Sequence, residues 1–92
     1  MTPDHFTELL AQEGFAKPVL VEREANGSWD EHSHPFEAKA LILSGEIRIC
    51  TANGSEHTFR KGDVFHLKAH EPHSEFYGPT GVCYLAGRKV GI

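Results

Sequence analysis

The stretch Gly27-Ser28-Trp29-Asp30-Glu31-His32-Ser33-His34-Pro35-Phe36-Glu37 decides how this chain is read, and Gly62-Asp63 and Pro72-His73 answer it downstream. Side chains alternate across an extended strand, so His32 and His34 are expected on one face with their imidazoles converging. Such a pair invites a divalent metal, for which imidazole is the commonest protein ligand. A third ligand from a neighbouring strand would complete one face of a coordination polyhedron, and His73 is the candidate. Three neutral imidazoles with an open face suit Fe(II), Zn(II), Ni(II), Cu(II) or Mn(II), and ligand type alone does not choose among them.

Outward from this stretch, the chain reads as short apolar runs broken by turns. Val19 to Glu24 predicts a strand, and Asn26-Gly27 a turn into the histidine strand. Two further strands are expected over Ala38 to Leu43 and Glu46 to Cys50, joined at Ser44-Gly45. Ala40 and Ile42 on one face and Leu41 and Leu43 on the other are all apolar, so that segment needs cover on both sides. A barrel interior explains one face, and a second subunit would explain the other. Asn53-Gly54 and Lys61-Gly62-Asp63 are turns around a strand over His57 to Phe59. Val64 to Leu67, Ser74 to Tyr77 and Val82 to Ala86 complete the set. Before all of these, residues 1–14 predict a short helix: Thr2 caps, Pro3 suits the first turn, Asp4 and Glu8 favour its positive end, and Gly14 stops it. Its stripe of Phe6, Leu9 and Leu10 is expected against the barrel or a partner.

Composition narrows the functional classes. The chain has 92 residues, enough for one domain, with nine glycines and five prolines. A formal net charge of −4 provides no basic patch for nucleic acid. No apolar run approaches the roughly 20 residues of a membrane span. Residues 1–14 carry acidic groups and no apolar core of a signal peptide, so a cytoplasmic location is expected. Cys50 and Cys83 match neither a zinc ribbon nor a redox pair, and free thiols are expected.

Taken together, the motifs resemble those of the cupin superfamily, across roughly Val19 to Gly87. Cupins carry a first motif of Gly, His-x-His, Glu and Gly, met here by Gly27, His32-Ser33-His34 and Gly45. Their second motif runs from Gly through Pro-x-Gly to His and Asn, met here by Gly62-Asp63 and His73. The resemblance is to small single-domain bacterial members. It implies an all-β jelly-roll barrel of two antiparallel sheets over about residues 19–87, preceded by the short helix, in a single domain of residues 1–92. It implies a divalent metal on His32, His34 and His73 inside the barrel mouth, and a homodimer paired sheet to sheet, with the outward Leu41 and Leu43 needing cover.

Several positions depart from the motifs. The family glutamate falls on Ala38, whose methyl binds no metal. Glu37 is one residue early, which on a regular strand reverses its direction, although a bulge near Pro35-Phe36 would bring it back. Glu75, two residues after His73, is a second candidate carboxylate, as a ligand or as the partner of an imidazole. Cys83 is a third candidate, as a soft ligand. Lys68, His70 and Tyr77 replace the second motif's Pro, Gly and Asn. His5, His57, His66 and His70 are expected to be exposed, and Lys39 and Arg48 solvated. Trp29 and Phe36 are expected either to wall the pocket or to pack in the rim.

Three functions remain open on these residues. One is a metal-dependent enzyme acting on a small molecule, a dioxygenase resembling three-histidine cupins or an isomerase. Another is a metal or small-molecule binding and sensing module, and the third is a structural cupin with an empty site.

Overall fold

Alternating apolar residues from Ala38 to Ile49 supply the longest row of core-facing side chains. In the computed structural model, which describes residues 1–90, they lie on one continuous strand. The order is α1 (Pro3–Gln12), β1 (Val19–Arg23), β2 (Ser28–His32), β3 (Phe36–Thr51), β4 (Glu56–Arg60), β5 (Val64–Leu67) and β6 (His73–Val90). Every strand pairing is antiparallel, and β3 pairs with β6 along most of both strands. Beyond that shared pair, β5 and β1 flank one half, while β4 and β2 flank the other. Two sheets result, β1-β6-β3-β5 and β2-β6-β3-β4, continuous through the two long strands. This is the jelly-roll barrel that the motifs imply.

The expected break at Ser44-Gly45 is a bulge inside β3 rather than a joint between strands, with register shifts between Ile42 and Ser44 and between Gly45 and Ile47. The expected strands over 74–77 and 82–86 are likewise the two halves of β6. The bulge reverses side-chain parity: Ala40 and Ile42 face the core before it, and Ile47 and Ile49 after it. Both long strands bend where Gly45 meets Gly81. Gly45 has φ +74°, and a Cβ there would stand 2.0 Å from the Gly81 carbonyl oxygen, so no other residue fits.

The barrel interior is Ala40, Ile42, Ile47, Ile49, Phe65 and Leu67 closed by Tyr77, Val82 and Tyr84. A second cluster lies outside the first sheet, where Phe6, Leu10 and Phe15 cover Leu41, with Leu43, Val64 and Leu85 at its margin. The chain's own helix, whose stripe was expected against the barrel or a partner, thus covers Leu41. That helix is capped as expected, with the Thr2 side chain accepting the His5 N–H at 3.1 Å. It also lies close to the sheet, since a Cβ on Gly87 would come within 2.6 Å of Leu10 Cδ1. No described helix is long and apolar enough to cross a membrane.

Leu10 is only 1 % exposed. Replacing it with alanine is expected to destabilise the fold by about 2–5 kcal/mol in urea denaturation, because the rigid sheet beneath cannot collapse into the space.

Candidate metal centre

β2 ends on His32, and β6 begins on His73 directly opposite it in the antiparallel register. Inward parity along β6 then delivers Glu75 and Tyr77, so an imidazole, a carboxylate and a phenol stand in one row. His73 is 1 % and Glu75 5 % exposed.

His34 reaches the same point by another route. Residues 33–35 pair with no strand, since Pro35 has no N–H to donate and the chain bends there, so strand alternation is not what aligns His34 with His32. Instead the His34 carbonyl accepts the His70 N–H at 2.7 Å. His70 has φ +62°, the left-handed conformation for which the second motif keeps glycine. Its imidazole is exposed, as expected, and its backbone does the positioning.

One donor atom from each of His32, His34, His73 and Glu75 lies within 4.8 Å of every other. The ring contacts fix tautomers. His32 Nδ1 donates to the Asp30 carbonyl at 2.7 Å, and His73 Nδ1 donates to the Glu71 carbonyl at 3.0 Å. A carbonyl only accepts, so Nδ1 carries the proton in both rings and each Nε2 turns to the centre with a lone pair when neutral. Glu75 Oε2 stands 3.1 Å from His73 Nε2 and 3.3 Å from His32 Nε2. The second distance suits an ion pair, but its alignment suits no hydrogen bond, and His32 Nε2 is buried without a partner. Lone pairs facing a carboxylate call for a cation between them, either a proton or a metal ion. The donor set of three imidazoles and one carboxylate therefore fits a divalent transition metal.

Of the three carboxylate or thiolate candidates, Glu75 is the one that reaches the histidines. Glu37 turns away to pair with His66 across β5. Cys83 lies in the other half of β6, opposite Glu22 and Ser44, where burial and then the Glu22 charge push its thiol pKa up. Ala38 lines the cavity where the family glutamate would stand. Tyr77, at the motif's Asn position, donates its hydroxyl to Glu75 Oε1 at 3.1 Å. Burial, then the Glu75 charge, pushes the Tyr77 hydroxyl up to about 12, so it stays a donor at neutral pH.

His34 and Glu75 open onto a cavity of about 90 Å³. Trp29 and Phe36 line it as walls rather than packing in a remote rim, with Trp29 stacked on His32 at 3.7 Å and Phe36 on His34 at 4.8 Å. Two more lining residues, Arg23 and Arg88, were missed at the sequence level. Period-two alternation was the signal that pointed to them, since Arg23 shares a face with Val21, and Arg88 with Ala86 and Tyr84.

The profile described as a cupin domain matches residues 19–76. The chain belongs to the cupin family. Among solved structures, this cupin is similar to a DUF861-family protein from Thermotoga maritima, with a TM-score of 0.71 and 19% identity over 94% of this chain and 90% of that one. It is similar to an RmlC-like cupin from Shewanella frigidimarina, with a TM-score of 0.69 and 19% identity, covering 82% of this chain and 66% of that one. It also resembles the DMSP lyase DddQ from Ruegeria pomeroyi, with a TM-score of 0.71 and 20% identity, but spans only 37% of that protein while 79% of its own length is covered. No curated protein sequence shows significant similarity to the chain. At these identities the likeness speaks for the fold.

The His73 and Glu75 pair makes metal-free stability depend on pH. Burial opposes the His73 imidazolium, but hydrogen bonds to Glu75 and the Glu71 carbonyl outweigh it and raise the pKa above the usual 6.5. Burial likewise opposes the Glu75 carboxylate, and its bonds with His73 and Tyr77 bring its pKa below the usual 4.5. The raised His73 value adds stability that is complete below 6.5 and lost as pH rises through it. The lowered Glu75 value adds stability that is complete above 4.5 and lost as pH falls through it. Thermal melts of metal-free protein are expected to show the pair's full contribution between these values, falling on both sides. Glu75→Gln should flatten both shoulders.

Proposed function

We propose that this cupin holds one divalent transition metal on His32, His34, His73 and Glu75 and presents it to a small molecule in the adjoining cavity. The observation that carries this reading is the convergence of four donor atoms around a buried, unpartnered His32 Nε2. When bound, the ion supplies Lewis-acid polarisation of a ligand oxygen or, as iron, a site for oxygen chemistry. The protein's own part is mechanical and electrostatic. Carbonyls of Asp30 and Glu71 hold two imidazoles in the ligating tautomer, and Tyr77 holds Glu75. Trp29 and Phe36 keep water from the outer faces of His32 and His34.

The reading favoured is a metal-dependent enzyme of the dioxygenase or isomerase kind acting on that small molecule. A binding or sensing module is the second reading. It is favoured by the fact that Glu75, the one carboxylate lining the cavity among the described residues, is already engaged by His73 and Tyr77.

Elemental analysis of protein purified without a histidine tag tests the site. Near-stoichiometric metal is expected in the parent and none in the His32→Ala/His34→Ala variant; metal-free parent protein that gains nothing from added iron, zinc or nickel would refute it. Iron in the protein directs the chemistry towards oxygenation, and zinc or nickel towards Lewis-acid work or storage.

Metal removal supplies a second measurement. At a free metal concentration of a hundred times Kd, the fold should gain about 2.7 kcal/mol, and a chelator should reverse the gain in the parent but change nothing in the double-alanine variant.

A further inference from the structure

Arg23 and Arg88 are exposed residues that also line the cavity in front of the histidines, which places both guanidinium groups at its rim. The chain's other two arginines are neutralised: Arg48 lies 3.3 Å from Glu56, and Arg60 lies 3.7 Å from Glu46. Among the described residues, neither Arg23 nor Arg88 has a carboxylate within 4.0 Å. Glu24 borders the neighbouring cleft with Arg23 without reaching it.

Both guanidinium groups are held in similar ways. Arg23 Cζ lies 5.8 Å from the Trp29 ring, which stacks on His32, and Arg88 Cζ lies 4.8 Å from the Phe36 ring, which stacks on His34. Two columns therefore run from guanidinium through aromatic ring to imidazole. An aromatic neighbour occupies the face of a guanidinium and leaves its in-plane N–H groups for other partners; Arg23 Nη1 donates to the Glu22 carbonyl at 3.4 Å, and the in-plane edge is the one that takes a carboxylate in a fork.

A departure from the family motif sharpens the point. Arg88 on β6 stands opposite Ala38 on β3, the position at which the motif carries glutamate. A carboxylate at position 38 would neutralise Arg88 and fill the cavity, whereas the alanine methyl leaves the positive charge and the space. The cavity of about 90 Å³ has room for roughly six to nine water-sized groups. Its remaining walls are the apolar Val21, Phe65, Leu67 and Ala86, together with Tyr84.

Building on the metal reading for its inner end, we propose that the site takes a small organic acid of about two to five carbons. Its carboxylate is held at the rim by Arg88, beside Ala38, while Arg23, farther along the lining, adds its positive charge, and a second oxygen donor faces the histidine cluster. The apolar walls accept the short carbon chain between the two ends.

Calorimetric titration of zinc-loaded and of metal-free protein with lactate, malonate, their neutral amides and inorganic phosphate tests this. At least one of the two acids is expected to bind the zinc-loaded protein about tenfold tighter than its amide and than phosphate. Arg23→Gln and Arg88→Gln are each expected to weaken that acid about fivefold while zinc stoichiometry stays unchanged. Ala38→Glu should abolish acid binding and leave zinc bound. Equal affinity for acid and amide, tighter binding of phosphate, or an affinity indifferent to both arginines would overturn the proposal. A protein that takes up no zinc refutes the metal reading alone. Arginine-dependent acid binding to that metal-free protein would still uphold the carboxylate site, and no acid binding in either state would overturn it.

Discussion

The pairing of β3 with β6, carried around a bend at Gly45 and Gly81, is the constraint on which the remaining structure depends. Both strands are longer than either sheet needs, and each serves two sheets by bending where the two glycine backbones come within a distance that no Cβ permits. Because the bend includes a bulge, it exchanges the faces of β3 and lets residues on both sides of it point into one barrel. On β6 the same exchange puts His73, Glu75 and Tyr77 inward before the bend and Val82 and Tyr84 inward after it. The first row contributes to the candidate metal centre, and Tyr84 of the second row lines the cavity beside it. A side chain at position 45 would disturb the core and the site together.

The departures from the cupin motifs form one connected set in space. Moving the carboxylate from position 38 on β3 to Glu75 on β6 brings it beside His73 on the same strand, where Tyr77, in place of the motif's Asn, is the next inward residue to anchor it. A buried carboxylate is costly unless its lone pairs are satisfied; the Tyr77 phenol donates to one oxygen, and the other faces the Nε2 atoms of His32 and His73, where a proton or a metal ion would complete it. The vacated position becomes open cavity beside Arg88. His70 preserves the backbone conformation of the missing glycine and uses its N–H to hold His34.

The helix shows how a surface feature is decided by what lies beneath it. Leu41 and Leu43 point away from the barrel and need cover, and the Phe6 and Leu10 stripe supplies it for the outer face of the first sheet. The close fit depends on Gly87, whose missing side chain lets Leu10 approach the β6 backbone.

The turn residues and period-two apolar runs were enough to read the short strands, and the cap and stop residues the helix, because each is a local pattern; the barrel and the three-histidine set rested on the resemblance to the cupin motifs. Glu75 was legible as one of several candidates because strand alternation places it on the face of His73. The choice among Glu37, Glu75 and Cys83 depended on strand register and on the bulge, which no local pattern encodes: a shift of one residue reverses every side chain beyond it. Strand alternation was the wrong warrant for His34, since Pro35 ends the pairing and a backbone contact from His70 takes its place. Arg23 and Arg88 lie far apart along the chain, and only the antiparallel closure of β1 and β3 on β6 brings both to the rim of one cavity. What the amino-acid sequence determined by itself was the set of chemical groups and the faces they occupy. Which of those faces meet was decided by the tertiary structure, because contact between distant strands is a property of register and bend rather than of any one segment.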